Sequence, residues 1–108
     1  MNTYNIWCNL IDTHKDKEFC DAVKNYLNYF KKKKLVKNFR ITRRKLGFGP
    51  TELGEFHIQI ETKDMRELET VWEEVAKKND TVSKLHIKVY SQVKDFKSAL
   101  YRDFPDKF

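Results

Sequence analysis

The spacing of apolar residues switches between two periods along the chain, and that succession constrains the fold more than any other feature. Over residues 3–11, Tyr4, Ile6, Cys8 and Leu10 alternate with Asn5, Trp7 and Asn9, the two-residue repeat of a strand with one buried face. Thr13 followed by Asp16 marks a helix start, after which Phe19, Val23, Tyr26, Leu27 and Phe30 recur at helical spacing. That helix is expected to end at Lys31, Lys32, Lys33 and Lys34, where cations oppose the negative end of the helix dipole. Period two returns from Val36, with Phe39 and Ile41 on one side of a strand and Arg40, Thr42 and Arg44 on the other, up to about Leu46.

A connector with three glycines, Gly47, Gly49 and Gly54, leads into EFHIQIET, where Phe56, Ile58 and Ile60 again alternate. Asp64 with Glu67 opens a second helix with the stripe Met65, Leu68, Trp72 and Val75, closed by KKND. Leu85, Ile87 and Val89 alternating with His86, Lys88 and Tyr90 predict a fourth strand, and a short helix is expected after Asp95, stopped by Pro105. The predicted order is β-α-β-β-α-β. With right-handed crossovers this is the ferredoxin-like arrangement, an α+β fold whose antiparallel sheet has the order 4-1-3-2 with both helices on one face. A chain of 108 residues is expected to form one domain, with its core over 3–92 and a C-terminal tail over 93–108.

The face of the sheet away from the helices then carries Asn5, Trp7, Asn9, Arg40, Thr42, Arg44, His57, Gln59, His86, Lys88 and Tyr90. Solvated sheet faces carry mostly short polar and charged side chains, so this mixture predicts a cover. Two covers suit the topology: a second copy packed sheet to sheet, or single-stranded RNA stacked on aromatics. The formal net charge of +6 permits the RNA reading. An RNA platform, however, needs aromatics on the two central strands, and GEFHIQIE turns Phe56 toward the helices. Nucleic acid is therefore the disfavoured cover.

The basic stretch RITRRKLGFGP reads as strand and turn, because its glycines match neither phosphate-loop spacing and no helix follows them. Strict alternation sends Arg43 and Lys45 to the helix side. Either a bulge rotates them out or they line the mouth of a cleft. The guanidinium forks of Arg40, Arg43 and Arg44 suit a carboxylate or phosphate, and ion pairs with Glu55 or Glu61 on the adjacent strand explain Arg40 and Arg44 equally well. The strand order separates His57 from His86 by roughly two strand spacings, about 9–10 Å, and no third ligand is spaced to join them, so no metal is expected. Cys8 and Cys20 lack metal or redox spacing and read as small apolar residues. No apolar run is long enough to span a membrane and no secretory pattern is visible, so the expected location is cytoplasmic.

RITRRKLGFGPTELGEFHIQIE, together with ALYRDFPD, resembles a small bacterial family of unknown function with the dimeric ferredoxin-like, or dimeric α/β-barrel, fold. The resemblance covers nearly the whole chain and implies a homodimer whose sheets face each other; it implies no catalytic residues. The wider fold group that the chain is similar to includes cofactor-independent monooxygenases, haem-degrading enzymes and ligand-binding regulators. The resulting expectation is a homodimeric protein binding a small, anionic organic ligand through Trp7, Asn9, Arg43, Arg44, His57, His86 and Tyr90. The alternatives are a monooxygenase-like enzyme on the same scaffold and an RNA-binding monomer. No cofactor is expected, and the C-terminal segment is expected to dock on the barrel or the partner.

Overall fold

The structure is a computed structural model that describes residues 1–77 and 80–105. Strand β1 (Asn2–Leu10) leads through a single 3-10 turn at Thr13–Lys15 into helix α1 (Asp16–Lys32). Strands β2 (Asn38–Arg43) and β3 (Phe56–Thr62) follow, then α2 (Met65–Ala76), α3 (Asp80–Tyr90) and β4 (Val93–Arg102). All three strand pairings are antiparallel, in the spatial order β2-β3-β1-β4. This is the expected ferredoxin-like order, but its last strand is a different segment from the one predicted.

Two local expectations are thereby corrected. Residues 85–90 are helical, because Val82, Leu85, His86, Val89 and Tyr90 repeat at helical spacing across the longer window that Asp80 opens. Val82 and Val89 are buried, so the helical stripe, rather than the alternation within LHIKVY, is what the core selects. The segment after Asp95 is strand β4 and not a short helix, and residues 93–102 form a sheet edge rather than a tail. Of the KKND sequence that was expected to close α2, Lys78 and Asn79 lie outside the described residues, as do residues 106–108.

The core forms where α1 crosses the sheet. Phe19, Ala22, Val23, Leu27 and Phe30 of α1 pack with Ile6, Cys8 and Leu10 of β1 and Phe56, Ile58 and Ile60 of β3. Phe19 meets Phe56 edge on, with ring centroids 5.3 Å apart. Helix α2 starts as its sequence predicts: the Asp64 carboxylate accepts from the Glu67 amide at 3.1 Å, while the Glu67 side chain accepts from the Lys63 amide. It packs less deeply than α1, since Leu68 is its one buried residue.

The connector between β2 and β3 is fixed from both ends. The Arg44 guanidinium donates to the carbonyls of Pro50 at 2.7 Å and of Leu53, tying the loop onto the end of β2. Gly54 lies so close to β1 that a Cβ there would meet the Cys8 backbone at 2.4 Å. Beside this contact, Asn9 accepts from the Glu55 amide at 2.8 Å and donates to Asp95 at 3.1 Å. It thus bridges the loop to β4, where the β1–β4 register shifts between Trp7 and Asn9.

Candidate functional site

Alternation along β1 and β3 gives the sheet two faces, and the candidate residues divide between them. On the open face Trp7 and His57 stand opposite each other in register, their rings stacked at 4.7 Å with planes 12° apart. His57 Nε2 lies 2.9 Å from Asn5 Oδ1, and Asn5 Nδ2 donates to the Thr3 carbonyl at 3.2 Å. Asn5 is buried even here. A shallow depression bordered by Thr3, Gln59 and Tyr101 adjoins these groups.

His86 and Tyr90 are not on that face, because the segment that carries them is helix α3 on the other side of the sheet. The expectation that joined them to Trp7 and His57 is therefore corrected: the two histidines stand on opposite sides of the sheet. Among the described residues, no cluster of three or more His, Cys, Asp or Glu is placed to hold a metal ion.

The arginines go elsewhere again. The β2–β3 ladder runs from Asn38↔Glu61 to Arg43↔Phe56 without a register shift, so no bulge rotates Arg43 outward. It stays on the helix side, where it pairs with Asp16 at 2.9 Å and Glu55 at 3.2 Å and lies over the Phe56 ring. The amide of Lys17 and then the Arg43 guanidinium hold the Asp16 carboxyl below its ordinary value. Arg44 does not extend from the open face, since β2 ends at Arg43 and the next side chain turns into the loop. Asn9, as described above, is committed to Glu55 and Asp95. The bonds of these three residues tie parts of the scaffold together.

A cavity lies between the sheet and the helices, with a volume of about 430 Å³. Its floor is Tyr4, Ile6, Ile58 and Ile60 of β1 and β3. One wall comes from α1 through Val23, Tyr26, Leu27 and Phe30, and another from α2 through Leu68, Val71, Trp72 and Val75. His86, Val89 and Tyr90 of α3, Phe96 of β4, and Val36 in the segment before β2 complete it. Two of its lining residues, Trp72 and Phe96, are 42% and 44% exposed. Among the described residues, no Asp, Glu, Lys or Arg lines it.

Its polarity is concentrated on one patch. Tyr26 Oη lies 2.9 Å from His86 Nδ1, and the His86 ring packs against Tyr90 with centroids 4.3 Å apart. Tyr90 in turn touches Phe96 at 5.8 Å, and Tyr4 meets Trp72 edge on at 5.7 Å. Burial pushes the Tyr90 hydroxyl up to about 12 and raises that of Tyr26 as well. Both phenols therefore stay protonated at neutral pH. Burial also pushes the Cys8 thiol up to about 11, leaving it a weak nucleophile.

Tyr26, Tyr4, Trp72 and Phe96 belong to this site but were not singled out from the sequence. Tyr26 and Trp72 sit at apolar-stripe positions of their helices, and the usable signal was a hydroxyl and an indole where an aliphatic side chain would have sufficed.

Both His57 and His86 are held below the ordinary histidine value of 6.5 by burial. A histidine whose folded pKa is depressed binds fewer protons folded than unfolded, so its contribution is complete above 6.5 and falls as pH drops through the folded value. Thermal unfolding should accordingly show a Tm that is flat above about pH 7 and declines as the pH falls below about 6.5. The decline should be shallower in His86→Gln; an unchanged slope in that variant would show that His86 is not the group responsible.

Among proteins of curated function, none matches the sequence. Solved structures do match the fold. A protein of Arabidopsis thaliana superposes with a TM-score of 0.74 at 9% identity over 100% of both chains. SnoaB, a cofactor-independent oxygenase from Streptomyces nogalater, gives 0.71 at 7% identity over 97% of both chains. A dimeric ferredoxin-like protein of unknown function from a Jannaschia species gives 0.69 at 7% identity, over 94% of this chain and 98% of that one. At such identities the likeness establishes the fold alone. Kinship comes from the sequence, whose match to a family model runs over residues 1–108, and the chain belongs to the Family of unknown function (DUF6614).

Proposed function

We propose that this protein binds a small, largely apolar organic molecule in the cavity between its sheet and its helices, and does so as a homodimer. The cavity itself carries the reading. Well-packed interiors hold few voids larger than a water molecule, whereas this one falls in the roughly 300–1,000 Å³ range of ligand pockets and combines apolar walls with one convergent polar patch. The ligand class differs from the anionic one expected from the sequence, because the arginines that suggested an anion point into ion pairs and loop carbonyls.

The dimer is supported by the open sheet face, where a stacked Trp7–His57 pair and a buried Asn5 form a patch suited to a cover. A two-fold axis would set this patch against its own copy, and one structural neighbour is described as dimeric. A cover of this kind leaves no platform for RNA.

The oxygenase-like reading has one observation in its favour: a histidine whose pKa burial lowers, hydrogen-bonded to a tyrosine, lines a largely apolar cavity. SnoaB is a cofactor-independent oxygenase on the same fold. Under that reading the bound molecule would be consumed rather than returned intact.

Ligand-induced thermal stabilisation by neutral bicyclic aromatics such as acetonaphthone tests the site. Val71→Trp fills the cavity from α2 and should weaken binding at least about tenfold, since the added indole occupies the ligand's volume. Undiminished binding by a folded Val71→Trp protein would place the ligand elsewhere.

A further inference from the structure

The chemistry of the polar patch specifies what the cavity can hold, an inference that rests on the cavity being a ligand site. Tyr26 is 7% exposed, and a buried hydroxyl proton without an acceptor is costly to the fold. Among the described residues, the acceptor within reach of that proton is His86 Nδ1, at 2.9 Å. The Tyr26 hydroxyl therefore donates to Nδ1. A neutral imidazole that accepts at Nδ1 must carry its proton on Nε2. Burial raises the pKa of the phenol and lowers that of the imidazole, favouring the protonated hydroxyl and the uncharged ring.

The cavity is thus lined by a histidine whose free N–H donor has no protein partner among the described residues. Around it stand rings and aliphatic side chains, with no charge to balance an ion. A carboxylate or ammonium would surrender its hydration without compensation. An uncharged molecule with an oxygen acceptor would satisfy the donor and keep its apolar body against Ile58, Ile60 and Trp72. We infer that the cavity selects a neutral, predominantly apolar molecule bearing a carbonyl-type oxygen, which accepts from His86 Nε2–H, while Tyr26 acts as the positioning residue that fixes the tautomer.

Two measurements test this. Long-range proton–nitrogen correlation spectra of the free protein read the His86 tautomer directly. The expected pattern is a protonated Nε2 and an unprotonated Nδ1; the opposite pattern overturns the inference. The second measurement compares three probes of similar shape: acetonaphthone, which carries a ketone, isopropylnaphthalene, which carries no acceptor, and the naphthoate anion.

The ketone should bind about tenfold more tightly than the hydrocarbon, the value of one added hydrogen bond, and naphthoate should bind more weakly than either. His86→Phe should abolish the ketone's advantage while leaving the hydrocarbon's affinity in place. His86→Gln, which retains an N–H donor, should restore part of it. Tyr26→Phe should reduce the ketone preference and shift the tautomer signals together. Equal affinity for ketone and hydrocarbon, or tightest binding of naphthoate, overturns the inference while leaving the cavity as a ligand site. If all three probes fail to bind, the ligand-site reading falls and this inference falls with it.

Discussion

Replacing Gly54 by alanine is expected to destabilise the protein by about 3 kcal/mol, because the new methyl group cannot be accommodated by rotating a side chain. A Cβ at this position would lie 2.4 Å from the Cys8 carbonyl carbon and oxygen and 2.5 Å from its amide nitrogen, and all three belong to a strand paired on both sides. The loop cannot swing away easily either, since Arg44 grips its carbonyls and Asn9 holds the Glu55 amide. Gly47 provides the control. Its φ is +64°, but nothing lies within 4 Å of a Cβ there, so Gly47→Ala should cost about 1 kcal/mol from backbone conformation alone. Urea unfolding of both variants at one protein concentration separates the two mechanisms, the fixed concentration being needed because the proposed dimerisation would make apparent stability concentration-dependent. Similar losses for the two variants would mean that the loop yields and that the contact with Cys8 is not tight.

The second large effect concerns assembly. Trp7→Lys is expected to convert the proposed dimer to monomer, weakening association by at least about a hundredfold. In a two-fold interface one substitution places a charge on each copy, and an unpaired charge buried in such a contact costs roughly 3–5 kcal/mol. Trp7→Phe keeps a ring against His57 and should remain dimeric. Sedimentation of the two variants decides the matter. A native protein already monomeric at micromolar concentration, or a Trp7→Lys protein that stays dimeric, would remove the open sheet face from the proposed interface.

How far the sequence disclosed this arrangement depended on how many residues each signal spanned. Helix α1 and strands β1 and β3 were legible because their apolar periods extend over many residues and point to a single core. Strand β4 was not, for two reasons. The short run LHIKVY satisfies a two-residue and a helical period equally well, and an edge strand that leaves Phe96, Leu100 and Tyr101 substantially exposed lacks the clean alternation of a central strand. The strand order survived this error because the missing strand follows immediately and takes the same edge.

The site was less legible than the fold. Trp7 and His57 share a face as expected, because that conclusion required only the alternation of two central strands. His86 and Tyr90 were assigned to the same face through the mistaken strand, and their true surroundings come from tertiary packing of α3 against α1. Arg43 and Arg44 drew attention as a basic cluster, yet their partners are Asp16, Glu55 and the carbonyls of a loop. Local sequence does not reveal such long-range pairing, and an exposed charge cluster alone does not distinguish an anion site from a surface ion pair. The cavity was hidden for a different reason. Its walls come from both central strands, the edge strand and all three helices, and each contributes side chains that, taken singly, read as ordinary core.

Where a small molecule binds decides between the cavity and the open face of the sheet. Intermolecular nuclear Overhauser effects between acetonaphthone and the selectively labelled protein locate it directly. The prediction is a set of contacts from the bound probe to the side chains of Ile58, Ile60 and Val71 and to the Trp72 ring, with the Trp7 and His57 resonances unaffected. Contacts to Trp7 and His57, with the signals of the cavity side chains unchanged, would contradict it and return the ligand site to the open face of the sheet.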